Sequence, residues 1–479
     1  MQSPLRFLTR DSLEQIHGAA LRILERTGMQ IDHEAALEQL AAAGARVDRA
    51  SRRVRFPPHL VEASLALVPR AFTYHGRTPD ADFTLTADGE MTARVPGGAT
   101  NYIDLETGEN RRATIADWCE LARLADALPN IGMIATLHCG DVPADTADLH
   151  SVRALLRSTR KCLVHNAFSA RNQLAIYDML VAVAGSREAL AARPFFHQQA
   201  SVISPLFLNE DDTEQILVAC DFGIPLDLPL MSIAGISSPI TLAGTLAQTS
   251  AEYLGTVVLT QVVRPGHPLA YFVDPVTGDM RTGAALFGAP ETGLLVAAIS
   301  QLGTELYGLP TQAIGLDSDG FSAAQTMFQK AQMLALQVLA GGRHVVGAGS
   351  VESCMALSPL QLVIDDELMT VARRWVHGIR VDEERLAVDA IDRVGPRGNF
   401  LMDDHTVEHL REGELIELPL AERESRQTWQ STGYRTVESK ARDRARQLLA
   451  SHQPPPLPDD VGRELDLIVD RADRAADRR

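Results

Sequence analysis

Aromatic side chains are scarce in this chain, at 5% of 479 residues, and cysteine is scarcer still. The five cysteines, Cys119, Cys139, Cys162, Cys220 and Cys354, stand 20 or more residues apart with no C-x-x-C pair. That spacing excludes a disulfide-dense secreted scaffold and suits a reducing compartment. Positive charge is also in deficit: 45 Lys and Arg face 62 Asp and Glu, a formal net charge of -17. Such a balance opposes any large phosphate-neutralising surface, so no nucleic acid is expected as a partner; it suits a cationic ligand or simple solubility. Nowhere do about 18 uninterrupted apolar residues form a membrane-spanning run, and the opening MQSPLRFLTRDSLEQ holds no apolar signal core. The expectation is a cytoplasmic protein without a membrane partner. Absent too are G-x-S-x-G, H-E-x-x-H and the phosphate-loop GK[ST], and no G-x-G-x-x-G follows the first strand. Elbow nucleophiles, helical zinc sites and dinucleotides therefore find no support.

What is present is a regular alternation of strand and helix. The stretch 315–349, GLDSDGFSAAQTMFQKAQMLALQVLAGGRHVVGAG, joins two short apolar strands through a helix at 323–339 that stops at Gly341 and Gly342. A helix crossing between two buried strands is the repeating unit of a parallel sheet, whose chemistry sits past the carboxyl ends of the strands. Candidate strands recur at 92–95, 131–138, 162–168, 195–203, 228–234, 269–273, 311–316 and 344–346. Eight of them alternating with helices fit a (β/α)8 barrel, the TIM barrel of the α/β class, better than an open doubly wound sheet. Before them, helices at 10–27, 33–43 and 58–66, with Asp11 and Ser12 as cap candidates, and a hairpin at 72–86 form an N-terminal helical cap. After them come only helices, among them one from Ser358-Pro359 to His377 and a carboxyl tail expected to fray into solvent. Prolines at Ser238-Pro239 and Ala289-Pro290 mark two helix starts between strands. The expected organisation is a cap at 1–90, a barrel at 91–357 and a C-terminal helical extension at 358–479.

Candidate site residues follow from strand ends. Asp317 and Asp319, two apart, share one face if the strand persists, although DSDG reads equally as a turn in which the aspartates bond their own backbone. Gly347 and Gly349 allow close approach of a flat ligand or make a tight turn, and Glu352 lies just beyond. His165 is a polar candidate at a third strand end, against the commoner reading of a satisfied structural histidine. Phe272 and Phe321 offer rings of the kind that hold a quaternary ammonium, against the plainer reading of core packing, and Tyr102, after the first strand, belongs to a ligand-binding loop or an ordinary turn. Zinc is disfavoured, because His138 with Cys139, and Cys162 with His165, are one or three apart and point to opposite faces of a strand. No tightly bound metal is expected.

Ten runs in fixed order sharpen this reading. They are ISPL (203–206), SSPITLAGTLAQTSAEYLG (237–255), QVVRPGHP (261–268), DMRTG (279–283), APE (289–291), YGLP (307–310), LAGGRHVVGAG (339–349), LVIDDEL (362–368), VGPRGNFLMDDHT (394–406) and HLRE (409–412). On these the chain resembles the trimethylamine methyltransferase superfamily, in its branch without pyrrolysine that includes glycine betaine methyltransferases, over residues 97–452. The resemblance implies a TIM barrel that moves a methyl group from a quaternary amine to the Co(I) of a corrinoid, a cobalamin, carried by a separate corrinoid protein. It implies that Asp317 and Asp319 supply negative charge near the ammonium, that Phe272 or Phe321 packs on its methyls, and that His344 with Gly347 and Gly349 lines the corrin side. DSDGFS departs from the family, where a longer polar residue commonly follows Ser-Asp, and Gly320 is expected to leave room that a side chain fills elsewhere. The alternatives are a betaine-binding barrel without transfer and a zinc-dependent thiol methyltransferase. Further apolar helical faces make a homo-oligomer the expected assembly.

Overall fold

The computed structural model describes residues 5–476. Seven parallel strands form one sheet: in spatial order Phe196–Gln199, Cys162–Asn166, Ile131–Ala135, Thr92–Val95, His344–Val346, Thr311–Ile314 and Tyr271–Phe272. The gap between the two edges is closed by residues 226–230, where Leu226 bridges both Gln198 and Leu269, and Leu230 bridges Val273. The eight expected strand positions thus make a closed barrel. The fifth differs in register: the pairing residues are 226–230, and Ile233–Ala234 turns out of the barrel to pair with Val276–Gly278. Pro225 and Pro229 interrupt this segment and carry no N–H to donate, which keeps it from forming a regular strand.

The amino-terminal end of the barrel is plugged. The hairpin Phe72–Tyr74 and Phe83–Leu85 pairs as expected and inserts Tyr74, whose hydroxyl accepts from Gln312 Nε2 at 2.7 Å. The Tyr74 ring stacks on His197 at 4.2 Å and meets His344 edge-on at 5.8 Å. Before the hairpin, helices Arg10–Arg26 and Pro58–Leu67 pack on the long helix Leu242–Val263. The first helix is capped by Thr9, whose side chain accepts from the Ser12 N–H, and not by Asp11 or Ser12. The cap also contains strands that the sequence reading passed over: Met29–Ile31 lies between Arg53–Arg55 and the parallel Phe207–Leu208. The long helix starts at Leu242 with Thr241 as its cap, three residues past the expected Pro239, whereas Pro290 does open its helix.

Helix Pro359–His377 begins at Ser358 and ends at Gly378, as expected. The last helix, Asp459–Ala476, does not fray within the described residues. Leu465, Ile468 and Val469 form an apolar stripe among its charges, and Asp466 pairs with Arg153 and Arg157. No helix among the described residues is long and apolar enough to cross a membrane.

One buried ion pair joins the last two strand-to-helix loops of the barrel. Lys330 Nζ donates to Asp365 Oδ2 and to the Leu316 carbonyl, both at 2.7 Å, and both side chains are wholly buried. Asp365 also accepts from the Gly349 N–H at 2.7 Å and from Gln361 at 2.8 Å. Removing one member of such a pair leaves an uncompensated charge in the core, so Lys330→Met is expected to cost about 3–5 kcal/mol, measured by chemical denaturation. A loss under about 1 kcal/mol would mean that the loops hold without the pair.

Candidate active site

Strand one is TARV, and every residue in it is buried. Its Arg94 points inward, donates from Nη1 to Gln312 Oε1 at 3.2 Å, and stands 3.9 Å from Asp227 Oδ2. Asp227 Oδ1 receives the Tyr74 hydroxyl at 3.3 Å and lies 3.4 Å from His197 Nδ1. Burial opposes the charge on Asp227, but His197 and Arg94 hold its carboxyl below the usual range. This polar layer floors a cavity of about 630 Å³ at the carboxyl ends of the strands, where barrel chemistry is found. Phe272, Asp274, Asp317, His165, Met231 and Gly347 are among its walls.

Two carboxyls in this cavity are displaced from their ordinary range by burial. Asp274 rises to about 7, with the Ile314 N–H and Arg94 acting the other way. Asp317 rises to about 6, with Lys330 and the hydrogen bonds from Ser318 N–H and Ser350 Oγ, both at 2.8 Å, opposing. Both are thus partly neutral near pH 7, an unusual state for aspartate and one that marks functional sites. Gly347 is what lets Asp317 approach: it has φ +113°, and a Cβ there would lie 2.5 Å from the Leu316 carbonyl carbon.

The ten sequence-chosen residues separate. Asp317, Phe272, His165 and Gly347 line the cavity together. Asp319 faces away, its carboxylate accepting the N–H groups of Phe287 and Gly288 at 2.8 Å and the Ser353 hydroxyl at 2.9 Å. The strand has ended by then, so the two acids do not share a face. Phe321 is 86% exposed on the loop above. Tyr102 is buried elsewhere, bonded to Glu120 at 2.8 Å and covered by Arg111. Glu352 accepts from Asn110 at 2.8 Å, and Gly349 donates to Asp365. His344 begins its strand and lies against the plug at the opposite end, where burial lowers its pKa to about 3, so it does not reach the mouth. Gly320 leaves no room: a Cβ would sit 2.8 Å from the Thr326 backbone nitrogen. Cys162 packs with Tyr74 and Met133 at the plug, whereas His165 faces the mouth beside Thr136, so the two do not converge.

Arg94 and Asp274 were missed. An arginine between Ala93 and Val95 in a short strand is itself a signal, since such a charge is buried only with partners. Cys354 also lines the cavity, delivered by three successive left-handed residues, Glu352, Ser353 and Cys354 at φ 57°, 54° and 64°. These cost strain and are braced by Ser353 N–H to the Ser318 carbonyl at 2.7 Å. Burial pushes the Cys354 thiol far up, which keeps it neutral. A second cavity, of about 530 Å³, lies at the amino-terminal end beside Asp82 and Lys161. Lys161 spends its ammonium on the carbonyls of Ala125 and Leu128.

A closed parallel barrel with shifted carboxyls in a cavity at the strand ends defines a barrel enzyme. Residues 1–476 match the family described as trimethylamine methyltransferase (MTTB), and the chain belongs to that family and is a methyltransferase. It is 31% identical to trimethylamine methyltransferase MttB of Desulfitobacterium hafniense, over 88% of this chain and 84% of that one. With glycine betaine methyltransferase of the same species it shares 28% identity over 87% of each chain. The crystal structure of monomethylamine methyltransferase (MtmB) of Methanosarcina barkeri superposes with TM-score 0.54 over 92% of this chain and 87% of that one, at 12% identity, which speaks for the fold alone.

Asp274 yields a pH prediction. Its folded pKa stands above the unfolded one, so its contribution to stability is complete below about pH 4 and is lost as pH rises through about 7. Asp274→Asn keeps the acceptor for Ile314 and removes the titration. Between pH 5 and 8 the melting temperature of the wild type is expected to fall more than that of the variant, by about 2 °C. Parallel curves would contradict the assignment.

Proposed function

We propose that the chain takes one methyl group from a quaternary amine of the glycine betaine type and delivers it to the Co(I) of a corrinoid carried by a separate protein. The observation that carries the reading is the grouping of the Phe272 ring with the Asp274 and Asp317 carboxyls in one cavity beneath an apolar opening. A quaternary ammonium has no N–H to donate, so it is held by apolar contact and diffuse charge, and this wall offers both, with Phe272 and Phe287 beside the two carboxyls. Every residue of the chain is standard, and a quaternary donor already carries its leaving amine. The task left to the protein is to hold the cation, exclude water and aim one methyl.

A fully ionised carboxylate in contact would stabilise the cationic reactant more than a transition state in which that charge is fading. Asp274, raised to about 7, is half-neutral near pH 7, and Asp317, raised to about 6, is mostly ionised there, so the wall carries less than two full negative charges and holds the donor without trapping it. Co(I) supplies the nucleophile when the partner protein is docked. Exposed apolar residues after several strand ends, Phe168, Ile203, Met231, Phe321 and Met355, support such docking at the mouth.

The test mixes the protein with Co(I) cobalamin and a panel of quaternary amines, reading corrin absorbance. Methylation of the corrinoid by at least one betaine is expected; a silent panel, with the partner protein also supplied, would remove the reading. Asp317→Asn should weaken binding of the active amine about three- to tenfold at pH 8, and little at pH 5, where Asp317 is already protonated. Phe321→Asp should raise KM for the corrinoid protein and leave the amine's Kd within about twofold of wild type. An effect of the reverse kind would move Phe321 into the amine site.

A further inference from the structure

The floor of the mouth cavity holds a guanidinium that the protein itself leaves mostly unspent. Arg94 is 2% exposed and lines the cavity. Of its five N–H donors, Nη1 serves Gln312 at 3.2 Å, and Nε is buried with no partner among the described residues. The nearest carboxylate contact, Asp227 Oδ2 at 3.9 Å, is beyond hydrogen-bond distance. Asp227 is in turn engaged through Oδ1 with Tyr74 and His197. The Arg94 central carbon lies over the Phe272 ring, 4.7 Å from its centroid, so the ring shields one side of the guanidinium. A buried arginine is costly unless its donors are satisfied, and a planar fork is matched by a carboxylate.

We propose that Arg94 anchors the carboxylate of the donor, so that a betaine enters carboxylate first, its ammonium rests beside Phe272 and Asp317, and a methyl faces the opening. The proposal rests on the amine reading above and adds polarity to it: a guanidinium with open donors at the floor, carboxyls on the wall, and an open top. An amine that lacks the carboxylate leaves the Arg94 donors unmatched, and loss of a partner for a buried polar group discriminates far more strongly than a small change in apolar bulk. Arg94 is accordingly a specificity-determining residue of this chain, separate from the groups that surround the ammonium.

The test is calorimetric and needs no corrinoid. Three ligands of nearly equal shape are titrated: glycine betaine; 3,3-dimethylbutyrate, which keeps the carboxylate and replaces the ammonium by carbon; and choline, which keeps the ammonium and lacks the carboxylate. Arg94→Gln is expected to weaken glycine betaine and 3,3-dimethylbutyrate at least about tenfold and choline less than about threefold. Equal losses on all three, no loss on either carboxylate, or a wild type that binds neither carboxylate would overturn the proposal. If 3,3-dimethylbutyrate binds as tightly as glycine betaine and both depend on Arg94, the anchor stands and the amine reading falls. Should Arg94→Gln fail to fold, Arg94→Lys keeps the charge that faces Asp227. It is expected to weaken both carboxylates severalfold and spare choline, and uniform losses would again overturn the assignment.

Discussion

The arrangement of the mouth depends on one ammonium in the core. Lys330 reaches from its helix to the Leu316 carbonyl and the Asp365 carboxylate, and Asp365 holds the Gly349 N–H. The loops after strands seven and eight are therefore fixed to each other from below, by charge in a place where water cannot compete. Two consequences follow. Gly347 is pressed against Leu316, which only a residue without Cβ permits, and Asp317 is carried into the cavity. The same positive charge moderates Asp317, whose burial alone would push its carboxyl further up. A lysine of a structural ion pair thus tempers the protonation of a cavity wall that burial sets.

The barrel was largely legible in the sequence because its strands are short, almost wholly buried and alternate with helices. The exceptions have physical causes. The fifth strand is broken by prolines, so its pairing shifted to residues 226–230. The terminal helix hides a three-residue apolar stripe among acidic and basic side chains, and it docks where fraying was expected.

The site was legible only in part. A spacing of two implies a shared face as long as the strand persists, and the strand ends at Ile314, before either aspartate. Asp319 became a brace for the neighbouring loop, satisfied by two N–H groups and a hydroxyl. His344 has the right chemistry at the wrong end of its strand. Arg94 and Asp274 escaped notice because each is one polar residue in an apolar run, and only the closed barrel shows that both face the same space. What the structure adds is depth: a polar layer over the plug, then the Phe272 ring and two carboxyls, then an apolar rim. The family membership supplies the reaction class, and this layering supplies the orientation proposed for the donor.

The most direct test of that layering is a crystal structure of the protein with glycine betaine bound. The account predicts density in the mouth cavity, with the carboxylate on Arg94 and the trimethylammonium beside Phe272 and Asp317 facing the opening. Density with the opposite polarity, or in the cavity beside Asp82 and Lys161 at the other end of the barrel, would contradict it.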